Sequence, residues 1–442
     1  MDLALKGAAE AAQLIRDGLI TSEELVKACL GQIERLDEEV CAWAFLDPDF
    51  ALQQAREADL AIKVGRSLGP LHGVPIGIKD IIDTKDMPTE DGTVLHRGRR
   101  PLQDATVVSK LREAGAVIMG KTVTTELAVF HPGKTRNPHD LQRTPGGSSS
   151  GSAAAVAAGM IPLAIGTQTN GSVIRPASFC GVYGYKPTFG LISRHLVLQQ
   201  SRPLDQVGVF ARSIEDVALV AESIIGHDSM DPDTKLQAKP ELFLTQAQPP
   251  PVDPFLAFVK SPVWDQATED THAAFSELAE ELGEYTESCE LEEWINEVHD
   301  LHRLVMEADL ARSFAPEYVN GKGQLSDILC KMIERGQMVT AVDYNNAVAR
   351  MSEYYHAFDK LFEEHDAIIT PAVPGEAPVG LESTGSPMFC TIWTYFGMPA
   401  ITLPLLQGDN GLPLGVQLVG PRGDDARLLR TARWLVDTVA GS

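Results

Sequence analysis

The stretch that most constrains the fold of this chain is residues 143–187, RTPGGSSSGSAAAVAAGMIPLAIGTQTNGSVIRPASFCGVYGYKP. It is rich in glycine, serine and alanine, but apolar segments at residues 153–158 and 161–165 interrupt it. A flexible Gly/Ser linker would lack such segments. The pattern therefore predicts a loop, a helix, a strand and a second loop, with serines in both loops.

Glycines in these two loops allow positive φ values or a close approach of the backbone to another group. Successive backbone N–H groups in such a turn can form a nest that holds an oxyanion. The alternative is a tightly packed crossing of a helix and a strand through small residues. Two such loops in succession, with a lysine in the apolar segment VPIGIKDII upstream, favour a catalytic role.

Composition limits the classes of protein and partner. With 442 residues, of which 44% are hydrophobic, the chain can form a large core, which excludes global disorder. The net charge of -24 argues against nucleic acid or an anionic membrane as partner, because both attract clustered lysine and arginine. The six cysteines show no C-x-x-C spacing, and no signal peptide or apolar run of about 20 residues occurs. We therefore expect a cytoplasmic protein with reduced thiols.

Helices and strands are predicted to alternate along the chain. The first 65 residues are predicted to be helical, with a capping box between Thr21 and Glu24. Ser213 is expected to cap a further helix. The segment 226–254 is rich in proline and is interpreted as a connection to a more helical lobe. This alternation predicts an α/β fold with helices on both faces of a sheet, whose strands are expected at residues 74–82, 116–119, 161–165, 256–259, 367–370, 400–405 and 414–418.

Two motifs that suggest other functions are weak. Residues 115–122, GAVIMGKT, match the P-loop pattern, but AVIM is itself predicted to be a buried strand and could not cradle a phosphate. Lys121 is therefore interpreted as structural or solvent-facing. His299 and His302 lie three residues apart on a predicted helix, without a convincing third ligand, and predict no zinc site.

Lys79 lies in the predicted strand at residues 74–82. It either extends from the strand end to solvent or is buried, and burial would lower its pKa and provide a neutral amine as a base. Asp80 or Asp83 could instead pair with it. A Ser-His-Asp triad stays open, with His72 and His131 available, but no G-x-S-x-G elbow is present. A Ser-Lys arrangement fits better.

Three sequence blocks resemble the amidase signature family, the serine amidohydrolases with a Ser–cis-Ser–Lys triad. They are GVPIGIKD at residues 73–80, TPGGSSSGSAAA at 144–155 and GTQTNGSVIRPASFCGVYGYKPT at 166–188. The resemblance implies the amidase-signature fold, with a large mixed, twisted central sheet. It also implies a single domain over residues 1–442, made of a helical N-terminal segment (1–65), the signature core (66–225), a helical lobe (226–365) and the C-terminal part of the core (366–442).

The resemblance also implies the catalytic residues. Lys79 matches the family's catalytic lysine, Ser148 the cis-serine and Ser172 the nucleophile. Neutral Lys79 is expected to accept a proton from Ser148, which relays one from Ser172 as this attacks a carbonyl carbon. The peptide bond between Gly147 and Ser148 is expected to be cis. Ser149 is expected either to assist this network or to be a turn residue. The oxyanion hole is expected from the backbone N–H groups of Thr169, Asn170, Gly171 and Ser172.

Five positions depart from the common family pattern, and one of them is Ser150, which replaces a common glycine. Gln168 and Asn170 differ from residues found in many members, and arginine stands three residues after the nucleophile, at Arg175. The form TQTxGSxIRP resembles a subset with malonamidase-like and urethanase-like enzymes. Arg175 is interpreted as bracing the loop, with recognition of a substrate carboxylate as the alternative. Thr394 stands where many members have asparagine.

The function implied by the resemblance is hydrolysis of a small amide or amide-like carbamate (urethane), without a metal or an organic cofactor. The alternative is a glutamine-hydrolysing amidotransferase subunit that needs a partner chain, against which the SVIRP form and Gln168 argue. A third interpretation, an inactive binding protein, conflicts with the intact catalytic residues. The resemblance also suggests a homodimer.

The substrate pocket is expected to be formed by loops that vary within the family. In this chain these are residues 196–202, 304–315 and 387–395. Trp393 and Tyr395 either offer an aromatic surface to an aryl group or are core residues.

Overall fold

The computed structural model describes residues 2–441, and one mixed sheet runs through this part of the chain. Its eleven strands are β1 Trp43–Leu46, β2 Pro75–Lys79, β3 Val117–Thr122, β4 Leu163–Gln168, β5 Tyr183–Lys186, β6 Gln206–Ala211, β7 Leu256–Val259, β8 Thr286–Cys289, β9 Ala367–Pro371, β10 Ala400–Gln407 and β11 Pro413–Val419. They lie in the order β1-β3-β2-β4-β6-β5-β10-β11-β9-β7-β8.

Parallel and antiparallel pairs are both present in this sheet. β2 runs parallel to β3 and β4, and β7 runs parallel to β8 and β9. The remaining neighbours are antiparallel. The predicted mixed sheet is therefore confirmed.

Helices cover both faces of the sheet. They are α1 Ala8–Arg16, α2 Ser22–Val40, α3 Pro48–Lys63, α4 Thr106–Glu113, α5 Ser150–Ala157, α6 Ile174–Cys180, α7 Ile214–Ile224, α8 Leu242–Gln246, α9 Glu269–Leu282, α10 Val298–Ser313, α11 Ala315–Gly321, α12 Asp327–Gly336, α13 Ala341–Glu353, α14 Asp359–Glu364, α15 Met388–Tyr395 and α16 Asp425–Gly441. None of the helices in residues 2–441 combines the length and apolar character needed to span a bilayer.

Alternate residues of β4 show how the sheet divides the core. Leu163 and Ile165 belong to one hydrophobic cluster, which includes residues of α4 and α7. Ala164 belongs to another, which includes residues of α2 and α5. Successive side chains of a strand point to opposite faces, so a central strand must be apolar throughout.

Local signals predict several element ends correctly. The capping box at Thr21 is present, with Glu24 accepting from the Thr21 amide in return. Ser213 caps α7 by accepting from the Asp216 amide. The strand predicted at 256–259 has the same bounds as β7. Such contacts lie within a few residues of each other and depend little on the rest of the fold.

Other predictions of the elements are wrong or incomplete. The first 65 residues contain a strand, β1, as well as helices, because Trp43 and its neighbours pair with β3. The strand predicted at 116–119 runs from Val117 to Thr122 and includes Lys121, whose side chain is fully buried. Its Nζ donates to Ile82 O at 2.7 Å and to Thr89 Oγ1 at 2.6 Å. Lys121 is therefore structural, and the solvent-facing alternative is wrong.

Candidate active site

The carboxyl ends of β2 and β4 bring a buried lysine to the glycine-rich loops. Lys79 is the last residue of β2, which pairs in parallel with β4. Its Nζ donates to Ser148 Oγ at 2.7 Å and to Thr167 Oγ1 at 2.8 Å. All three side chains are buried. Parallel strands end at the same edge of a sheet, and this edge therefore holds the lysine against the first serine loop.

The protonation of Lys79 is set by this burial. Desolvation lowers the pKa of Lys79 well below its ordinary value, the Arg175 charge lowers it further, and the Asp205 charge acts in the opposite direction. Neither acidic neighbour in sequence pairs with the lysine. Asp80 lies 3.5 Å from Lys121 Nζ, and Asp83 accepts from Arg99. The geometry favours a neutral amine that can act as a base.

The peptide bond between Gly147 and Ser148 is cis, as predicted. Gly146 has a φ of +82°, and a Cβ there would approach Pro176 Cα to 2.8 Å. A Cβ on Gly147 would approach Thr384 Cγ2 to 2.8 Å. The sequence PGGSSS thus packs a bare backbone against α6 and the loop before α15, and larger residues would displace Ser148.

Arg175 braces this loop from α6. Its Nε and Nη2 donate to Gly147 O at 3.2 and 2.6 Å, and its Nη1 donates to Gly385 O at 2.6 Å. Burial lowers the pKa of Arg175 to about 10. The guanidinium is only 2% exposed and holds two loops together, which is the bracing geometry favoured from the sequence.

Ser149 fastens the same loop to β4. Its Oγ donates to Thr167 O and accepts from the Thr167 amide, both at 3.2 Å. Gly166 makes room for it, because a Cβ at Gly166 would lie 2.6 Å from Ser149 Oγ. Ser149 therefore fixes the strand residue whose side chain contacts Lys79.

Ser172 lies in the second glycine loop, between β4 and α6, and is half-buried. Gln168 Oε1 accepts from the amides of Val173 and Ile174 at 2.7 and 3.0 Å and so caps α6. In the described part of the chain, the amides of residues 170–172 donate to no protein group. These free N–H groups are three of the four expected to form the oxyanion hole, the fourth being that of Thr169.

Helix α15 holds the predicted oxyanion loop in place. Thr394 Oγ1 donates to Asn170 O at 2.5 Å and accepts from Gln168 Nε2 at 2.9 Å. Thr391 Oγ1 donates to Asn170 Oδ1 at 2.7 Å. A Cβ on Gly171 would approach Pro387 Cβ to 2.9 Å, so glycine is needed for this close packing. The departures at Gln168, Asn170 and Thr394 thus form one contact network.

Two supporting residues were not assigned to this site from the sequence, although His302 was considered there as a metal ligand. His302 Nε2 donates to Thr169 O at 2.9 Å, and burial lowers the pKa of His302 to about 4. Asp205 accepts from Thr169 Oγ1 at 2.7 Å, and burial raises the pKa of Asp205 to about 6. Both hold the loop from positions more than 30 residues away in the chain, and no local sequence pattern indicates such contacts. His299 likewise bonds a carbonyl, Met388 O.

Trp393 and Tyr395 are core residues. Both are at most 1% exposed and belong to the cluster that α10, α12 and α13 cover. Trp393 packs edge-on against Phe358, and the Tyr395 hydroxyl donates to Ala347 O. This packing fits the interpretation of these aromatics as core residues.

All three segments predicted to form the pocket line cavities, but 304–315 and 387–395 lie mainly in helices α10 and α15 and not in loops. A cavity of about 350 Å³ lies under residues 196–202 and reaches Thr167, Thr169 and Asp205. A larger groove of about 1130 Å³ is lined in part by Ala308, Asp309 and Arg312 of the segment 304–315, and by Tyr395. The smaller cavity adjoins the site at Thr167 and Thr169, and neither Ser148 nor Ser172 lines it.

Comparisons with known proteins show the family to which this chain belongs. The family model described as Amidase matches residues 24–429. The chain is 35% identical to the Mycobacterium tuberculosis (strain ATCC 25618 / H37Rv) protein named "Putative amidase AmiD", over 95% of this chain and 91% of that protein. It therefore belongs to the amidase family and is a hydrolase of C–N bonds.

Two further relatives show the breadth of the family. The chain is 34% identical to a glutamyl-tRNA(Gln) amidotransferase subunit of Symbiobacterium thermophilum, over 96% of this chain and 95% of that protein. The structure of native peptide amidase from Stenotrophomonas maltophilia matches with a TM-score of 0.85 and 28% identity, covering 98% of this chain and 97% of that one.

Proposed function

We propose that this chain hydrolyses small amides, and amide-like carbamates, through an acyl-enzyme on Ser172. The single observation that carries the proposal is the buried contact of 2.7 Å between Lys79 Nζ and Ser148 Oγ, beside the loop that bears Ser172. A desolvated amine hydrogen-bonded to a serine is a base next to a hydroxyl that can relay protons.

The proposed reaction begins with attack of Ser172 Oγ on the carbonyl carbon of the substrate. The Ser172 proton passes to Ser148, and the Ser148 proton passes to the neutral amine of Lys79. The negative charge on the former carbonyl oxygen is held by the free backbone amides of the oxyanion loop. The tetrahedral intermediate then collapses and the C–N bond breaks.

The second half of the reaction regenerates the enzyme. The proton on Lys79 returns through Ser148 to the departing amine nitrogen. Water attacks the acyl carbon, gives a proton to the same relay, and displaces Ser172 as the free hydroxyl. Arg175, Thr394 and His302 act by holding the loops, since each bonds a backbone carbonyl there.

The test is a hydrolysis screen of the purified chain without any partner. The substrates are aryl amides, short aliphatic amides, malonamate, glutamine and aryl carbamates. Ser172→Ala is expected to lower kcat by at least about 10³-fold. Ser276→Ala is the matched control, because its hydroxyl is exposed on α9 and bonds only the turn before it. Full activity in Ser172→Ala would overturn the proposal.

The second candidate is a glutamine-hydrolysing amidotransferase subunit. The relatives that carry the amidotransferase name, at 32–34% identity, favour it enough to require a separate test. Hydrolysis of several amides by the chain alone supports the first function. Slow turnover of glutamine, and of no other substrate, would support the second. Light scattering in the same preparation would test the suggested homodimer.

A further inference from the structure

Three side chains with metal-binding atoms meet at the sheet edge formed by β8. His365 Nε2 lies 3.0 Å from Glu287 Oε1 and 3.7 Å from Cys289 Sγ. The three ligand atoms all lie within 4.8 Å of one another. These residues come from two segments far apart in the chain, and the pairing of β7 with both β8 and β9 brings the segments together.

Each side chain has a local reason to point to the cluster. Glu287 and Cys289 are two residues apart on β8, so they share one face of the strand. His365 lies two residues before Ala367, the first residue of β9, and is 5% exposed. Its Nδ1 donates to Leu361 O at 3.0 Å, and its ring stacks on Phe255 at 4.9 Å. Nε2 is thereby left facing the other two groups, and in the neutral tautomer with hydrogen on Nδ1 it carries the lone pair that a metal ion needs.

We propose that Glu287, Cys289 and His365 form a zinc-binding site, with water as the fourth ligand. Ideal tetrahedral zinc has Zn–S near 2.3 Å and Zn–N and Zn–O near 2.0–2.1 Å, which places sulfur about 3.6 Å from nitrogen and nitrogen about 3.3 Å from oxygen. The observed 3.7 and 3.0 Å need little change.

The surroundings of the histidine are those of a metal ligand. In metal sites the second imidazole N–H usually donates to a carbonyl or carboxylate, which fixes the tautomer and the ring. Leu361 O fills that role here. Binding of Zn²⁺ displaces the thiol proton of Cys289 to solvent and forms the Zn–S bond, so no oxidant or reductant is needed.

The site is remote from the proposed chemistry. β8 lies eight strand positions from β2 in the sheet, which at about 4.8 Å per strand is roughly 38 Å. A metal here would join the outermost strand to the chain entering β9. We therefore assign it to stabilisation of an exposed sheet edge, because unpaired edge strands are otherwise prone to open or to pair with other chains.

The test is titration of the chelator-treated full chain with Zn²⁺, and separately with Co²⁺. We expect one Zn²⁺ per chain with release of a proton, and a thiolate-to-cobalt charge-transfer band with Co²⁺. Cys289→Ser should abolish that band, and His365→Gln removes a ligand and should weaken zinc binding by more than the roughly tenfold loss typical of changing a ligand's hydrogen-bond partner. Zinc should raise the Tm of the unchanged chain and not that of Cys289→Ser.

The matched control is Cys41→Ser, a second partly buried cysteine far from β8 in sequence. It should bind zinc as the unchanged chain does. Amide hydrolysis should be the same in all variants. Absence of the thiolate band, or equal zinc affinity in Cys289→Ser, would overturn the proposal. The cluster would then be a hydrogen-bonded histidine–carboxylate pair next to a thiol that binds no metal.

Discussion

At the scale of single residues, the proposed chemistry depends on the lowered pKa of Lys79. Desolvation is the largest influence on its pKa, and the nearby charges of Asp205 and Arg175 act in opposite directions. Asp205 is itself held by Thr169 Oγ1 and by the amides of Gln200 and Ser201. Asp205 therefore contacts the predicted oxyanion loop at Thr169 and also raises the pKa of Lys79, the proposed base.

Removing the Asp205 charge should change the pH profile in a defined direction. The carboxylate favours protonated Lys79 and so raises its pKa, and Asp205→Asn should lower it. The rising limb of kcat/KM should then move to lower pH, with the effect confined to pH above about 6, where Asp205 is ionised. Asp228→Asn is the control. A limb that stays in place or moves to higher pH would contradict this explanation.

Thr394 should matter to turnover more than to binding. Thr394→Val removes the hydrogen bonds to Asn170 O and from Gln168, and so loosens the loop that bears the free amides. Losing about 1.4 kcal/mol of transition-state stabilisation corresponds to a tenfold fall in kcat. We expect such a fall with little change in KM, measured against Thr438→Val on α16. A raised KM with unchanged kcat would assign Thr394 to substrate binding.

The sequence predicts the candidate catalytic residues and misses most of what holds them. Lys79, Ser148 and Ser172 each lie in a block that resembles the family. Gln168 and Thr394, in contrast, are 226 positions apart and meet only because α15 packs on the second glycine loop. Such contacts follow from the complete fold and leave no local pattern in the sequence.

At the scale of elements, α16 is attached to the sheet through a buried carboxylate. Asp425 Oδ1 accepts from the Tyr185 hydroxyl at 2.5 Å and from the Thr188 amide at 2.8 Å, and Oδ2 accepts from Thr188 Oγ1 at 2.6 Å. Asp425 is fully buried, and this burial raises its pKa. One side chain thus satisfies three donors at the start of the last helix.

Truncating the Asp425 side chain should lower the free energy of unfolding more than removing one of its hydrogen-bond partners. Asp425→Ala leaves one buried donor, on Tyr185, and two partly buried donors, on Thr188, without an acceptor, and we expect the free energy of unfolding to fall by about 3 kcal/mol. Tyr185→Phe removes one donor and should cost about 1 kcal/mol. Denaturant unfolding followed by far-UV circular dichroism measures both. Equal small losses would mean that packing, rather than this carboxylate, attaches α16.

The sequence predicts helices and strands correctly where the residues that define their ends lie within a few positions of each other. The caps at Thr21 and Ser213 are examples, as is the apolar strand β7. β8, with the sequence TESC, was missed because an edge strand needs no apolar alternation and exists through its pairing with β7. β6 was missed although it is buried throughout, since a short apolar segment does not by itself distinguish a strand from a helix.

At the scale of the whole molecule, strands from both ends of the chain are interleaved in one sheet. β1 forms one edge, while β10 and β11, from the last 45 residues, lie between β5 and β9. We predict that residues 1–442 unfold as the single domain expected from the sequence, because β10 and β11 join the part of the sheet that contains β1–β6 to the part that contains β7–β9. Calorimetry should give one transition with matching calorimetric and van't Hoff enthalpies. Two separable transitions would divide the chain into independent units.

The central claim is the acyl-enzyme on Ser172 formed with Lys79 as base, and intact-protein mass spectrometry tests it most directly. The chain would be mixed with a slowly turned-over aryl carbamate, quenched in acid, and digested to locate the adduct. We predict one added acyl group per chain on Ser172, no adduct in Ser172→Ala, and much slower labelling in Lys79→Met. An adduct of equal yield in Ser172→Ala, or on another residue of the unchanged chain, would contradict the claim.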